Sequence, residues 1–95
     1  MEQPNLTVLP HATVSRVLLR GGRATGVEIV HDGKPVCAHA AQEVVLSLGA
    51  IGTPAVLMRS GIGDETELRS AGVPVARHLP GVGRNLDDHI RLPCM

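Results

Sequence analysis

The feature that most constrains the fold is EVVLSLGA, residues 43–50. Residues 44–48 are apolar on both faces of an extended chain apart from Ser47, the pattern of a strand covered on both sides in a parallel sheet. Such a strand needs parallel neighbours of similar character, and nothing else in the 95 residues supplies one. The sequence therefore reads as part of a larger sheet. The chain has no Phe, Tyr or Trp, so the side chains that normally bury the most area are missing. A domain of this length also leaves roughly a third or more of its potential surface exposed, and a self-sufficient core is not expected.

Ahead of that strand the sequence predicts an antiparallel meander over residues 11–41. HATVSRVLLR is β-branched and aliphatic, and Gly21-Gly22 is a two-residue turn signal before ATGVEIV. Asp32-Gly33 leads into KPVCAHA, where Val36, Ala38 and Ala40 alternate with Cys37 and His39. Residues 43–72 read as strand, helix, helix. Thr53 suits an N-cap and Pro54 a first helical position, with Ser60-Gly61 as the stop. Asp64 and Glu67 have the spacing of a capping box for a second short helix, which ends at Gly72. Residues 73–95 are expected to be loop, since Pro80, Gly81 and Gly83 break any periodicity.

Nine basic residues balance nine acidic ones, and eight of the basic residues are Arg scattered along the chain, which argues against nucleic acid as a partner. No apolar run is long enough to span a bilayer, and MEQPNLTVLP lacks the pattern of a secretory signal. A cytoplasmic location with no membrane partner is the expectation. Cys37 and Cys94 fit no metal or redox spacing and read as free thiols, and no metal site is expected.

A buried strand entering a glycine-containing turn and then a helix places unpaired N–H groups and the positive end of the helix dipole at the carboxyl edge of the sheet. Dinucleotides commonly bind there. Gly49 and Gly52 would let the backbone approach a phosphate, ribose or ring. The alternative is that Gly-x-x-Gly only tightens a strand-to-helix turn.

The string GAIGTPAVLMRSGIG, residues 49–63, resembles the second sequence motif of the glucose-methanol-choline (GMC) oxidoreductases, flavoproteins that oxidise alcohols. NLTVLPHATVSRVLL, RATGVEIV and LPGVGRNLDDH also resemble the segments around this motif, in the same order. The resemblance implies an α/β fragment: an antiparallel β-meander plus one strand of an FAD-binding, Rossmann-like sheet, two short helices and a trailing loop. It implies FAD as cofactor and an alcohol as substrate of the complete enzyme. It places Val14 where a backbone amide and carbonyl meet the adenine of FAD, and Ser47, Gly49 and Ala50 where the backbone passes the cofactor. Asn85, Asp88 and His89 fall in a loop near the cofactor, with Asp87 standing for the usual glutamine. Each position has a plainer reading: Val14 as an inward-facing strand valine, and the Asn and Asp residues as caps of their own turns.

The departures define the expected limits. The opening Gly-x-Gly-x-x-Gly phosphate cradle has no counterpart here, because Gly81-Val82-Gly83 follows no suitable strand and precedes no helix. The carboxyl-terminal histidine region of the family has none either, so no catalytic base is assigned. His11, His31, His39, His78 and His89 read as surface or turn histidines. In the complete enzyme, the resemblance implies, a histidine takes the hydroxyl proton while hydride passes from the alcohol carbon to the flavin. The chain would supply part of the cofactor wall, with the missing N- and C-terminal portions as partners. Two alternatives stand beside it. One is a non-catalytic remnant that folds only with those portions. The other is a segment of a different flavoprotein class, although such segments do not ordinarily continue with a Ser-Gly-Ile-Gly stop.

Overall fold

The computed structural model describes residues 3–92, which divide into two compact units, the first ending at Val45 and the second beginning at Leu46. The second expected thiol, Cys94, lies outside the described residues, whereas Cys37 is free and exposed.

The first unit is the expected meander. Strands β1 (Ala12–Arg20), β2 (Arg23–His31) and β3 (Lys34–His39) form an antiparallel sheet in that order. Gly21-Gly22 and Asp32-Gly33 make the two turns, all four residues at positive φ, as two-residue hairpins with the native twist require. The register is interrupted twice. Val14 faces Ile29 and Arg16 faces Glu28, so Ser15 is a bulged residue; Leu18 faces Gly26 and Leu19 faces Ala24, so Thr25 is another. Both bulged residues carry hydroxyls, and each hydroxyl reaches a backbone carbonyl across the pair. Ser15 Oγ lies 3.1 Å from the Glu28 oxygen, and Thr25 Oγ1 lies 3.2 Å from the Leu18 oxygen. The bulges thus shift the register without stranding the groups they displace.

Val17 and Ile29 are the buried apolar side chains of this sheet. Strand β3 corrects one expectation. Its alternation does not sort inward from outward residues, because all six of its positions are exposed. A three-stranded sheet offers an edge strand no second layer to pack against.

The second unit is built around α1 (Gly49–Arg59) and α2 (Glu65–Ser70), with a short parallel pair, β4 (Ile62–Gly63) and β5 (Arg77–His78), joined through α2. Val56 and Leu68 form its core, at 2% and 3% exposure. The end of α1 is as expected, with Ser60 as C-cap and Gly61 following at φ +86°. At the end of α2 the Gly72 N–H reaches the Arg69 oxygen at 3.1 Å and the Val73 N–H reaches the Leu68 oxygen at 2.9 Å. This is a Schellman closure. Asp64 caps α2, its carboxylate accepting from the N–H groups of Thr66 and Glu67.

Three expectations need correction. Residues 43–47 belong to no strand, and Val45 is 75% exposed. The both-faces apolar pattern states what the segment requires, and a strand exists only through a ladder with a neighbour. No described residue provides that ladder. Helix α1 begins at Gly49, and Thr53 and Pro54 lie inside it. Gly49, at φ +83°, turns the extended chain into the helix, and Thr53 Oγ1 accepts from the Leu48 N–H at 3.0 Å. Residues 73–95 are not wholly loop, since β5 pairs with β4. Among the described residues no helix is long and apolar enough to cross a membrane.

Candidate functional site

Starting α1 at Gly49 rather than Pro54 places Ala50, Pro54 and Met58 at i, i+4 and i+8, on one helix face. Ile51 flanks that stripe. The stripe forms one wall of a cleft of about 450 Å³, and residues 83–87 form the other.

The opposite wall takes its course from two positive-φ residues, Gly83 at +76° and Asn85 at +56°. Asparagine is among the few side chains that tolerate this region. Met58 joins the walls: its Cγ stands 3.2 Å from where a Cβ on Gly63 would lie, and its methyl 3.4 Å from where a Cβ on Gly83 would lie. A flexible thioether fills the space left by the two glycines. Arg84, between Gly83 and Asn85, reaches α2, where its Nη2 is 2.6 Å from Glu67 Oε1. A little earlier His78 Nδ1 accepts the Glu65 N–H at 3.1 Å.

Of the residues singled out for the cofactor in the sequence, the cleft brings together Ala50 and Asn85, and Asp87, which stands for the family's glutamine, lines it beside them. Gly49 begins the helix that carries the first wall, and Ser47 lies exposed just before it. Asp88 is exposed beyond the second wall, and its Oδ1 accepts the His89 N–H at 2.8 Å, the turn-capping role allowed as its plainer reading. Val14 belongs to the first unit, half-buried, next to the Ser15 bulge on β1. As the outer strand of the meander, β1 has one edge with no strand beside it among the described residues. None of the five histidines lines the cleft.

Ile51, Pro54, Met58 and Arg84 line the cleft without having been picked out in advance. The signal for Pro54 and Met58 was present as the four-residue spacing Ala50-Pro54-Met58, hidden once Pro54 was taken as the first helical residue. Arg84 carries no such signal, because its partner Glu67 is 17 residues away in sequence.

Comparison with known proteins bears on what such a cleft serves. The family model described as GMC oxidoreductase matches residues 1–91. Oxygen-dependent choline dehydrogenase of Paraburkholderia phytofirmans is 49% identical over 90 residues, covering 95% of this chain and 16% of that protein. Mitochondrial choline dehydrogenase of Homo sapiens is 49% identical over 92 residues, covering 97% of this chain and 16% of that protein. The chain thus spans about a sixth of the length of these relatives. Among solved structures, an FAD-dependent oxidoreductase from Chaetomium thermophilum superposes with a TM-score of 0.78 at 38% identity, over 82% of this chain and 14% of that one. A match over nearly the whole sequence, relatives at almost half identity and a shared fold lead to one assignment: the chain belongs to the GMC oxidoreductase family.

Proposed function

We propose that this chain contributes part of the flavin-contacting wall of an FAD-dependent oxidoreductase acting on the CH–OH group of alcohols. The observation that carries the reading is the cleft itself, in which Ala50 and Asn85, drawn from two separate family-like segments, line one space. Its volume of about 450 Å³ falls within the range of small-molecule sites. The residues suit a flat ring system. Ala50 and Gly83 keep the walls free of bulk, Ile51, Pro54 and Met58 offer apolar contact, and the amide of Asn85 offers both a donor and acceptors.

FAD, when bound, supplies the hydride acceptor for alcohol oxidation. The chain's own residues would hold and orient it: α1 through Ala50 and Pro54, the second wall through Asn85. Ser47, Gly49 and Asp88 flank these walls in sequence, and Val14 would offer backbone groups from the edge strand β1. No residue of the chain is given the role of base. Similarity to choline dehydrogenases supports an alcohol as the substrate class of the complete enzyme.

The test is a circular-dichroism melt of the purified chain with and without excess FAD, alongside flavin fluorescence. Binding to the folded state alone raises the melting temperature with ligand concentration. A cooperative transition that moves upward with FAD is the expected result. A transition indifferent to FAD, with unaltered flavin fluorescence, overturns flavin binding by this chain on its own and leaves it a piece of an enzyme that carries the family's residues without its activity.

A further inference from the structure

The cleft is lined by α1 and residues 83–87, and α2 contributes nothing to its surface. Yet the second wall is tied to α2. Arg84 sits between the positive-φ residues Gly83 and Asn85 and sends its guanidinium to Glu67 Oε1, 2.6 Å away. Glu67 occupies the third position of α2, where a capping box would turn its carboxylate back to the Asp64 N–H. Only half of that box forms. Asp64 accepts from the Thr66 and Glu67 N–H groups, while the Glu67 carboxylate is directed to Arg84. The wall has no comparable tie to α1. What it has there is packing, the Met58 methyl against Gly83.

We infer that the ion pair between Glu67 and Arg84 is a latch that sets the width of the cleft, making Glu67 a positioning residue for a site it does not touch. The flavin part of this inference rests on the reading proposed above, and the geometric part does not. With the latch closed, Gly83 is held against Met58 and Asn85 faces Ala50 across the cleft. With it open, residues 83–87 keep their backbone turns but lose their fixed distance from α1. The pair is half-exposed at both ends, so its effect belongs to the modest range of surface pairs, about two- to fivefold in an equilibrium.

The test follows one contact by NMR in the full chain, the nuclear Overhauser effect between the Met58 methyl and the Gly83 α-protons. The contact between Met58 and Gly63 serves as an internal reference for folding, since it does not involve the latch. Glu67→Arg is expected to weaken the Gly83 contact and leave the Gly63 contact intact. The double variant Glu67→Arg with Arg84→Glu is expected to restore it. In parallel, Glu67→Gln, which adds no bulk and no charge to the cleft, is expected to lower FAD affinity about two- to fivefold. A Gly83 contact unchanged in Glu67→Arg, unrestored by the charge exchange, or absent from the unaltered chain overturns the latch. A contact that responds as expected in a chain that does not bind FAD upholds the latch and removes the flavin reading instead.

Discussion

Ser15 Oγ stands 2.8 Å from Glu28 Oε1 across the β1/β2 pair, at the position where the register slips by one residue. Arg16 Nη2 takes the other carboxylate oxygen at 3.2 Å. The hydrogen bond from Ser15 first, and then that from Arg16, hold the Glu28 pKa below its ordinary value of 4.5. A lowered folded pKa means that the ionised form is favoured by folding. Its contribution to stability is therefore complete above the ordinary value and is lost as pH falls through the lowered one. An NMR titration of the Glu28 carboxyl carbon should give a midpoint below 4.5, and Ser15→Ala should move it upward. A midpoint unmoved by Ser15→Ala would assign the effect to Arg16 alone.

Gly61 and Gly72 both end helices at positive φ, but their surroundings differ. A Cβ on Gly72 meets nothing within 4 Å, whereas one on Gly61 would fall on the Pro74 carbonyl oxygen and within 2.9 Å of the Ala76 nitrogen. The Gly61 carbonyl also accepts the Ala76 and Arg77 N–H groups, at 2.8 Å and 3.0 Å. Gly72→Ala is expected to cost about 1–2 kcal/mol, from backbone strain alone. Gly61→Ala adds a backbone clash at the start of the β4/β5 pair and is expected to cost about 3 kcal/mol or more. Chemical denaturation of the two variants checks the order, and equal costs would mean that the Pro74 segment yields freely.

How much of this was legible in the sequence depended on whether a signal was local. The meander was legible because Gly21-Gly22 and Asp32-Gly33 state their turn type outright, and α2 because Asp64 and Gly72 mark its two ends. The start of α1 was misplaced because Pro54 is a strong local marker, while the turn at Gly49 depends on Leu48 and Thr53 meeting across it. The β4/β5 pair was invisible, since two residues carry no periodicity. Residues 43–47 show the opposite failure. Their pattern is clear, but the ladder that would make them a strand has to come from residues other than those described. At the cleft, Ala50 and Asn85 were picked out by family resemblance, while Met58 was hidden by the misplaced helix start and Arg84 emerged only from its pairing with Glu67 across 17 residues.

The core of the second unit rests on few side chains, so each should count heavily. Leu68 is 3% exposed and, with Met58, covers Gly63, its two methyl carbons 3.7 Å and 3.8 Å from where a Cβ would lie. Leu68→Ala is expected to cost about 2–5 kcal/mol. Ile51→Ala, on the same unit at 75% exposure, should stay within about 0.5 kcal/mol. Urea melts of both variants check this, and a near-neutral Leu68→Ala would mean that α2 does not belong to the cooperative core.

Gly49 and Ala50 are adjacent at the start of α1, yet substitutions there should fail in different ways. Gly49 has φ +83° with open space around it, so a side chain there meets backbone strain and no neighbour within the chain. Gly49→Val is expected to cost at least about 1–2 kcal/mol of stability, with flavin affinity falling because the first wall is misdirected and a side chain is added at the start of α1. Ala50 is exposed, helical and faces the cleft. Ala50→Leu is expected to keep stability within about 0.5 kcal/mol, since leucine is a good helix former, while filling the space between the walls and reducing FAD affinity about tenfold or more, equivalent to about 1.4 kcal/mol. Paired thermal melts and flavin-fluorescence titrations separate the two effects. A stable Ala50→Leu variant with unchanged FAD affinity would place the cofactor elsewhere than between α1 and residues 83–87.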